Sequence, residues 1–162
     1  MKEFDQQLLG AAKSGDREKV KLLLEKGADV NTRDIIGFTA LMYAAVWGHK
    51  EVVKLLLENG ADVNVQDENG FTALMDASRN GHKEVVELLL EKGADVNIKN
   101  IDGFTALMWA AAEGHKEVVK LLLENGADVN VKSRYGWTAL ISASYNGHKE
   151  IVELLKSYGA KE

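Results

Sequence analysis

Apolar positions along this chain alternate between two kinds of helical face. In residues 31–64, Leu41, Ala44 and Ala45 recur three to four apart, the spacing of one face of a short helix. Further on, Val52, Val53, Leu55, Leu56 and Leu57 give a second helix a broader apolar face. The punctuation agrees with both. Thr39 offers a hydroxyl as N-cap, and Gly48 and Gly60 supply flexible residues where each helix ends. The polar stretch from Asn31 to Gly37 is turn-like at Asp34 and Gly37. The pattern predicts a turn, a helix over Ala40–Trp47, a second over Lys50–Glu58, and Asn64 leading into the next turn.

That unit repeats. Thr39-Ala40-Leu41-Met42 returns 33 residues later as Thr72-Ala73-Leu74-Met75, then as Thr105-Ala106-Leu107-Met108 and Thr138-Ala139-Leu140-Ile141. Gly37, Gly70, Gly103 and Gly136 keep the same step. A fixed period of this length means one supersecondary unit stacked in a row, each copy burying its apolar face against the next. Ala44 and Ala45 return as Ala77 and Ser78, Ala110 and Ala111, Ala143 and Ser144. Small residues on the first helix against large aliphatics on the second let facing layers interdigitate.

Three stretches carry a family likeness: Gly-Phe-Thr-Ala-Leu-Met, Gly-His-Lys-Glu-Val-Val and Gly-Ala-Asp-Val-Asn. On these, essentially the whole chain resembles the ankyrin repeat family. The resemblance implies an all-α solenoid, with a β-turn and two antiparallel helices per repeat. It divides a single domain, 1–162, into an N-terminal cap repeat (1–31), full repeats over 32–64, 65–97 and 98–130, and a C-terminal cap repeat (131–162). One departure matters. Where the family pattern runs Thr-Pro-Leu-His, this chain has alanine and methionine. It gives up proline's preset first turn. Met42, Met75 and Met108 are expected to replace a histidine hydrogen-bond network with adaptable apolar packing.

Composition narrows the function classes. The chain has 162 residues, 46% hydrophobic and 28% charged, enough for a sizeable core. A net charge of −5 without a Lys/Arg run argues against general binding to nucleic acid or anionic membranes. There is no cysteine, hence no disulfide or thiolate chemistry. Residues 1–10 lack the apolar segment of a signal peptide, and no stretch approaches a membrane span. Phe4–Leu9 starts a helix without a preceding turn, and Lys156 stands where Leu57, Leu90 and Leu123 stand earlier. Both ends are thus expected to act as polar caps of a complete module. Near-identical copies without proline or cysteine are similar to designed or consensus ankyrin proteins; a natural bacterial-type ankyrin protein is the alternative origin.

Catalytic constellations are missing. His49, His82, His115 and His148 occur once per period, so stacking makes them a ladder, whereas a metal site needs converging ligands. They are expected to hydrogen-bond at helix starts. Asp29, Asp62, Asp95 and Asp128 read as side-chain-to-backbone bonding in the shared turn. Asp76 and Glu113 are single-copy acids, yet no nucleophile with a base, phosphate loop or metal ligand accompanies them. No cofactor is implied, and the chain reads as non-enzymatic. Lys54, Glu87, Lys120 and Glu153 alternate in sign at one position, which a duplicated two-repeat ancestor, or a consensus tie broken both ways, explains better than attraction between neighbours does.

The positions that vary carry the functional signal. On the first helices these are Tyr43, Asp76, Trp109 and Ser142; Val46, Arg79, Ala112 and Tyr145; and Trp47, Asn80, Glu113 and Asn146. In the turns they include Ile35 and Ile36, Glu68 and Asn69, Ile101 and Asp102, and Arg134 and Tyr135. Family resemblance places these on the concave surface, where ankyrin proteins grip partners. The candidate partner-binding set is Arg33, Ile35, Ile36, Tyr43, Val46, Trp47, Asp76, Arg79, Trp109, Glu113, Tyr135 and Tyr145. Its aromatics are expected to be exposed, and aromatics with arginine are the composition of binding hot spots. The expected partner is a protein, and the chain itself a monomer with weak self-association through that face. Two rivals stand beside this reading: a stability scaffold without a target, and a small flat ligand stacked on Tyr43, Trp47 and Trp109.

Overall fold

A computed structural model describes residues 2–162. Ten helices form five pairs: α1 (Glu3–Ser14) with α2 (Arg17–Glu25), α3 (Ala40–Trp47) with α4 (Lys50–Glu58), α5 (Ala73–Arg79) with α6 (Lys83–Glu91), α7 (Ala106–Glu113) with α8 (Lys116–Glu124), and α9 (Ala139–Tyr145) with α10 (Lys149–Ser157). Among the described residues there is no strand. The first helices pack on one another in one row, the second helices in another, and each pair joins the rows. The result is the all-helical, two-layered solenoid that the period predicts.

Local chemistry sets the boundaries. The hydroxyls of Thr39, Thr72, Thr105 and Thr138 accept hydrogen bonds from the backbone N–H three residues on, at 3.1–3.4 Å, capping α3, α5, α7 and α9. Gly48 and Gly114 close α3 and α7 in the left-handed conformation.

The core runs unbroken along the array. Leu41, Leu74 and Leu107 are each 1% exposed, and so are Met42, Met75 and Met108, which fill the interface as apolar residues. Ile141 holds the methionine position in the last pair and is 42% exposed, because no further helix covers it. Lys156 turns outward there and pairs with Glu162 at 3.1 Å.

The histidines depart from expectation. His49, His82, His115 and His148 do stand at the N-caps of α4, α6, α8 and α10, but none caps its own helix with its ring. Each ring reaches back one repeat. The Nε2 atoms meet the carbonyls of Lys13, Val46, Arg79 and Ala112 at 2.9–3.0 Å. A carbonyl can only accept, so Nε2 carries the proton. The reason lies in helix ends: the last carbonyls of a first helix have no partner of their own. In the first pair Asp16 stands at the histidine position and caps α2 through Lys19 N–H at 3.1 Å.

A second ladder runs through asparagine. Asn31, Asn64, Asn97 and Asn130 accept from the backbone N–H of Asp62, Asp95, Asp128 and Lys161 at 2.8–3.0 Å. Their Nδ2 groups donate to the carbonyls of Gly60, Gly93, Gly126 and Gly159. Asp5 starts the series by accepting from Asp29 N–H at 2.8 Å. Of the four turn aspartates, Asp29, Asp95 and Asp128 each accept from the backbone two residues on. Lys54, Glu87, Lys120 and Glu153 make no ion pair with one another among the described residues; Glu87 lies 4.0 Å from Lys83 of its own helix.

Candidate binding face

α3, α5, α7 and α9 are each preceded by a tight hairpin turn built around one polar side chain. Asp34 Oδ1 accepts from the N–H groups of Ile36 and Phe38 at 3.1 and 2.9 Å. Asp67 does the same for Asn69 and Phe71, Asn100 for Asp102 and Phe104, and Ser133 for Tyr135 and Trp137. Neighbouring turns are tied by single backbone bonds from Glu68, Ile101 and Arg134 to the carbonyls of Ile36, Asn69 and Asp102. The turns approach so closely that a Cβ on Gly70 would lie 2.9 Å from Asn100 Cα, and only glycine fits there.

This row of turns holds apolar tips out to solvent. Ile35 is 93% exposed, Ile36 49%, and Tyr135 65%. Ile101 joins them at 58%; a variable turn position named it, although it stands outside the candidate set. Arg33 is exposed but engaged, since its guanidinium donates to the Gln66 carbonyl at 2.6 Å. Gln66 makes the equivalent bond to Lys99, so this position staples consecutive turns.

The first-helix positions separate into two rows. Trp47 is 57% exposed and Tyr145 78%, and Arg79 and Glu113 also face solvent. Val46 is half-buried. The row of Tyr43, Asp76 and Trp109 contradicts the expected exposure: Tyr43 and Trp109 are half-buried and Asp76 is only 7% exposed. These side chains lie beneath the turns. Tyr43 donates its phenol proton to the Asp34 carboxylate and packs on Phe38, with ring centroids 4.9 Å apart. Burial, with the Asp34 hydrogen bond and charge adding, pushes its pKa up to about 12. Trp109 lies between Phe71 and Phe104, at 5.5 and 5.2 Å, and the Arg79 guanidinium covers its ring at 4.7 Å. Phe71 and Phe104 give no sequence signal of a site, because each repeat places an aromatic there, with Phe38 and Trp137 at the same step.

Asp76 is the unusual group. Its Oδ2 is buried without a hydrogen-bond partner, and so is Trp109 Nε1. Burial first, and the Asp67 charge second, raise its pKa to about 8, with Arg79 pulling the other way. Asp76 is buried, whereas Glu113 faces solvent. The structure thus gathers Asp76, Arg79 and Trp109 into one cluster. Tyr145 stands apart, edge-on to Trp137 at 5.4 Å, and Tyr135 reaches Asp102 at 3.2 Å.

An open groove of about 400 Å³ lies away from the turn tips. It lies at the array's end, between Leu140, Ile141, Tyr145, Val152 and Lys156. Among the described residues, no group of three His, Cys, Asp or Glu side chains is placed to hold a metal ion, and no helix is long and apolar enough to cross a membrane.

No curated protein matches the chain. The family model for ankyrin repeats, in three copies, matches residues 8–100 and again 97–162. Helix pairs, turns and matched span agree, and the chain belongs to the ankyrin repeat family.

Proposed function

We propose that this chain is a non-enzymatic protein-binding module that grips its partner through the turn tips and the exposed row of the first helices. One observation carries the proposal. Large apolar side chains stand out along a single line of turns and first helices: Ile35, Ile36, Trp47, Ile101, Tyr135 and Tyr145, each at least 49% exposed. A stable fold has no use for Ile35 at 93% exposure, and exposed apolar groups rimmed by polar ones mark interaction surfaces. Ankyrin repeats are in general protein-interaction modules, which supports the same reading. The row spans enough of the array for a standard interface of about 800 Å² per partner. Near-identical copies without proline or cysteine support a consensus-derived or engineered origin for such a binder.

A pull-down with the intact chain tests this, run beside the Ile35→Asp and Trp47→Ala variants. The expected result is a partner retained by the parent chain and lost from both variants, with unfolding midpoints unchanged. A chain that retains nothing, or retains the same proteins after both substitutions, would return the scaffold reading. In the free protein the same line of apolar tips leads to weak self-association, read by sedimentation over a concentration series.

A further inference from the structure

Asp76 sits where a carboxylate is costly. At the same position Tyr43 is satisfied by donating to Asp34. Asp76 instead shares its site with Asp67, a second carboxylate, whose Oδ1 is already taken by two backbone N–H groups. Its own Oδ2 has no donor. A buried acceptor left unpaired is a standing penalty, and a partner that supplies a donor removes it. Beside it lies the Arg79 guanidinium, whose charge reaches Asp76 and which covers the Trp109 ring, itself packed on Phe71 and Phe104. A carboxyl group and an aromatic face that both act on one guanidinium are the chemistry that receives a cation.

Arg79 shows that the Trp109 ring accepts a guanidinium. Its side chain is exposed, lies 4.7 Å over that ring, and makes no hydrogen bond or ion pair among the described residues. Only the stack and the charge attraction of Asp76 hold it, without a hydrogen bond, so a partner's cation can displace it. One arginine stands against two carboxylates here, and the whole chain carries −5.

We infer that this cluster is the docking point for one basic side chain, Lys or Arg, of the partner protein, taken between the Asp76 carboxylate and the Trp109 ring. The inference rests on the protein-recognition reading above and gives that partner its chemistry. The cation supplies the donor that Asp76 lacks, and its positive charge offsets the Asp67 charge that helps keep Asp76 protonated. Burial holds the Asp76 carboxyl near 8, and a second positive charge would pull it down as Arg79 does, favouring the ionised form in the filled site.

The test is a selection on the full chain from a phage-displayed library of small domains with one randomised loop. Binders are mapped to the concave face by their loss on the Trp47→Ala variant. Each is then titrated against the parent chain, Asp76→Asn and Asp76→Ser; serine is chosen because Ser142 occupies the equivalent buried site. Thermal unfolding establishes that both variants fold. The expected result is a Lys or Arg in the binder whose replacement by Gln weakens binding at least about tenfold on the parent chain. The same replacement should change affinity less than about twofold on either variant, because its partner is gone. Concave-face binders that need no basic residue, or that bind the Asp76 variants unchanged, would overturn this inference and leave protein recognition standing. If no binder maps to the concave face, the recognition reading fails and this one with it.

Discussion

His115 fills the space that a side chain on Gly81 would need. A Cβ on Gly81 would lie 2.6 Å from His115 Nδ1, while His115 Nε2 meets the Arg79 carbonyl at 2.9 Å. One ring thus joins two helix pairs through a hydrogen bond and a steric fit, and it requires glycine for both a positive φ of 73° and the room.

Gly81→Ala should therefore cost more than Gly93→Ala. Both glycines have positive φ, but a Cβ at Gly93 meets nothing within 4 Å. Gly93→Ala should cost about 1 kcal/mol, the backbone strain alone. Gly81→Ala adds displacement of the ring, and its excess should disappear in a His115→Ala background. Urea unfolding of the double-mutant cycle reads this directly. Equal costs at the two glycines would mean that the ring moves aside freely.

Burial in this array comes from the next repeat, so identical positions should differ in worth. Met108→Ala removes a side chain covered by α9 and should destabilise by about 2–5 kcal/mol. Ile141→Ala, in the uncovered last pair, should cost below about 1 kcal/mol, and Lys83→Ala close to nothing. Leu74→Ala and Leu107→Ala belong with Met108→Ala. Denaturant midpoints with unchanged slopes check the series. Similar losses at Met108 and Ile141 would show that the last pair is covered in solution.

Asp76 makes folding pH-dependent in an unusual direction. Its carboxyl titrates near 8 when folded, against an ordinary 3.8. Between those values the unfolded chain has released a proton that the folded chain keeps. Stability should then fall as pH rises from about 4 to about 8 and level off above. The upper bound is on the order of several kcal/mol, from about 1.4 kcal/mol per unit. Asp76→Asn should remove this component, leaving stability similar near pH 4 and higher than the parent's at pH 8. The difference between the two chains across pH cancels every other titrating group. A flat difference would show that Asp76 is ionised and solvated in the fold.

Much of the architecture was legible in the chain because repetition multiplies weak local signals. Thr39 predicts a cap, Gly48 an end, and Leu41 with Ala44 and Ala45 a face, and the same signals return at each step. What escaped was contact between repeats. His49 looks like a helix-start residue, and only packing shows its ring turned back to Lys13. Asn31 reads as a turn former, and its bonds to Asp62 and Gly60 lie across the interface. Trp109 and Asp76 read as exposed because they vary, yet the turn above them half-buries the first and buries the second. Variation marks a face; the hairpin's height over the helix decides which of its residues reach solvent.

Trp47 and Trp109 should accordingly separate in experiment. Trp47 is 57% exposed and makes no aromatic pair among the described residues, so Trp47→Ala should leave stability within about 0.5 kcal/mol. If it is a hot spot, partner affinity should drop by at least about 2 kcal/mol. Trp109 is wedged between Phe71 and Phe104 under Arg79, so Trp109→Ala should lower affinity and also cost stability, about 2–4 kcal/mol. Phe71→Leu offers the control. It removes one wall of the stack while leaving the outer row untouched, and should weaken the fold more than the binding. Measuring unfolding and affinity on the same three variants places each ring. Loss of stability at Trp47 would put it in the core, and unchanged affinity in all three would leave the concave face without a role in recognition.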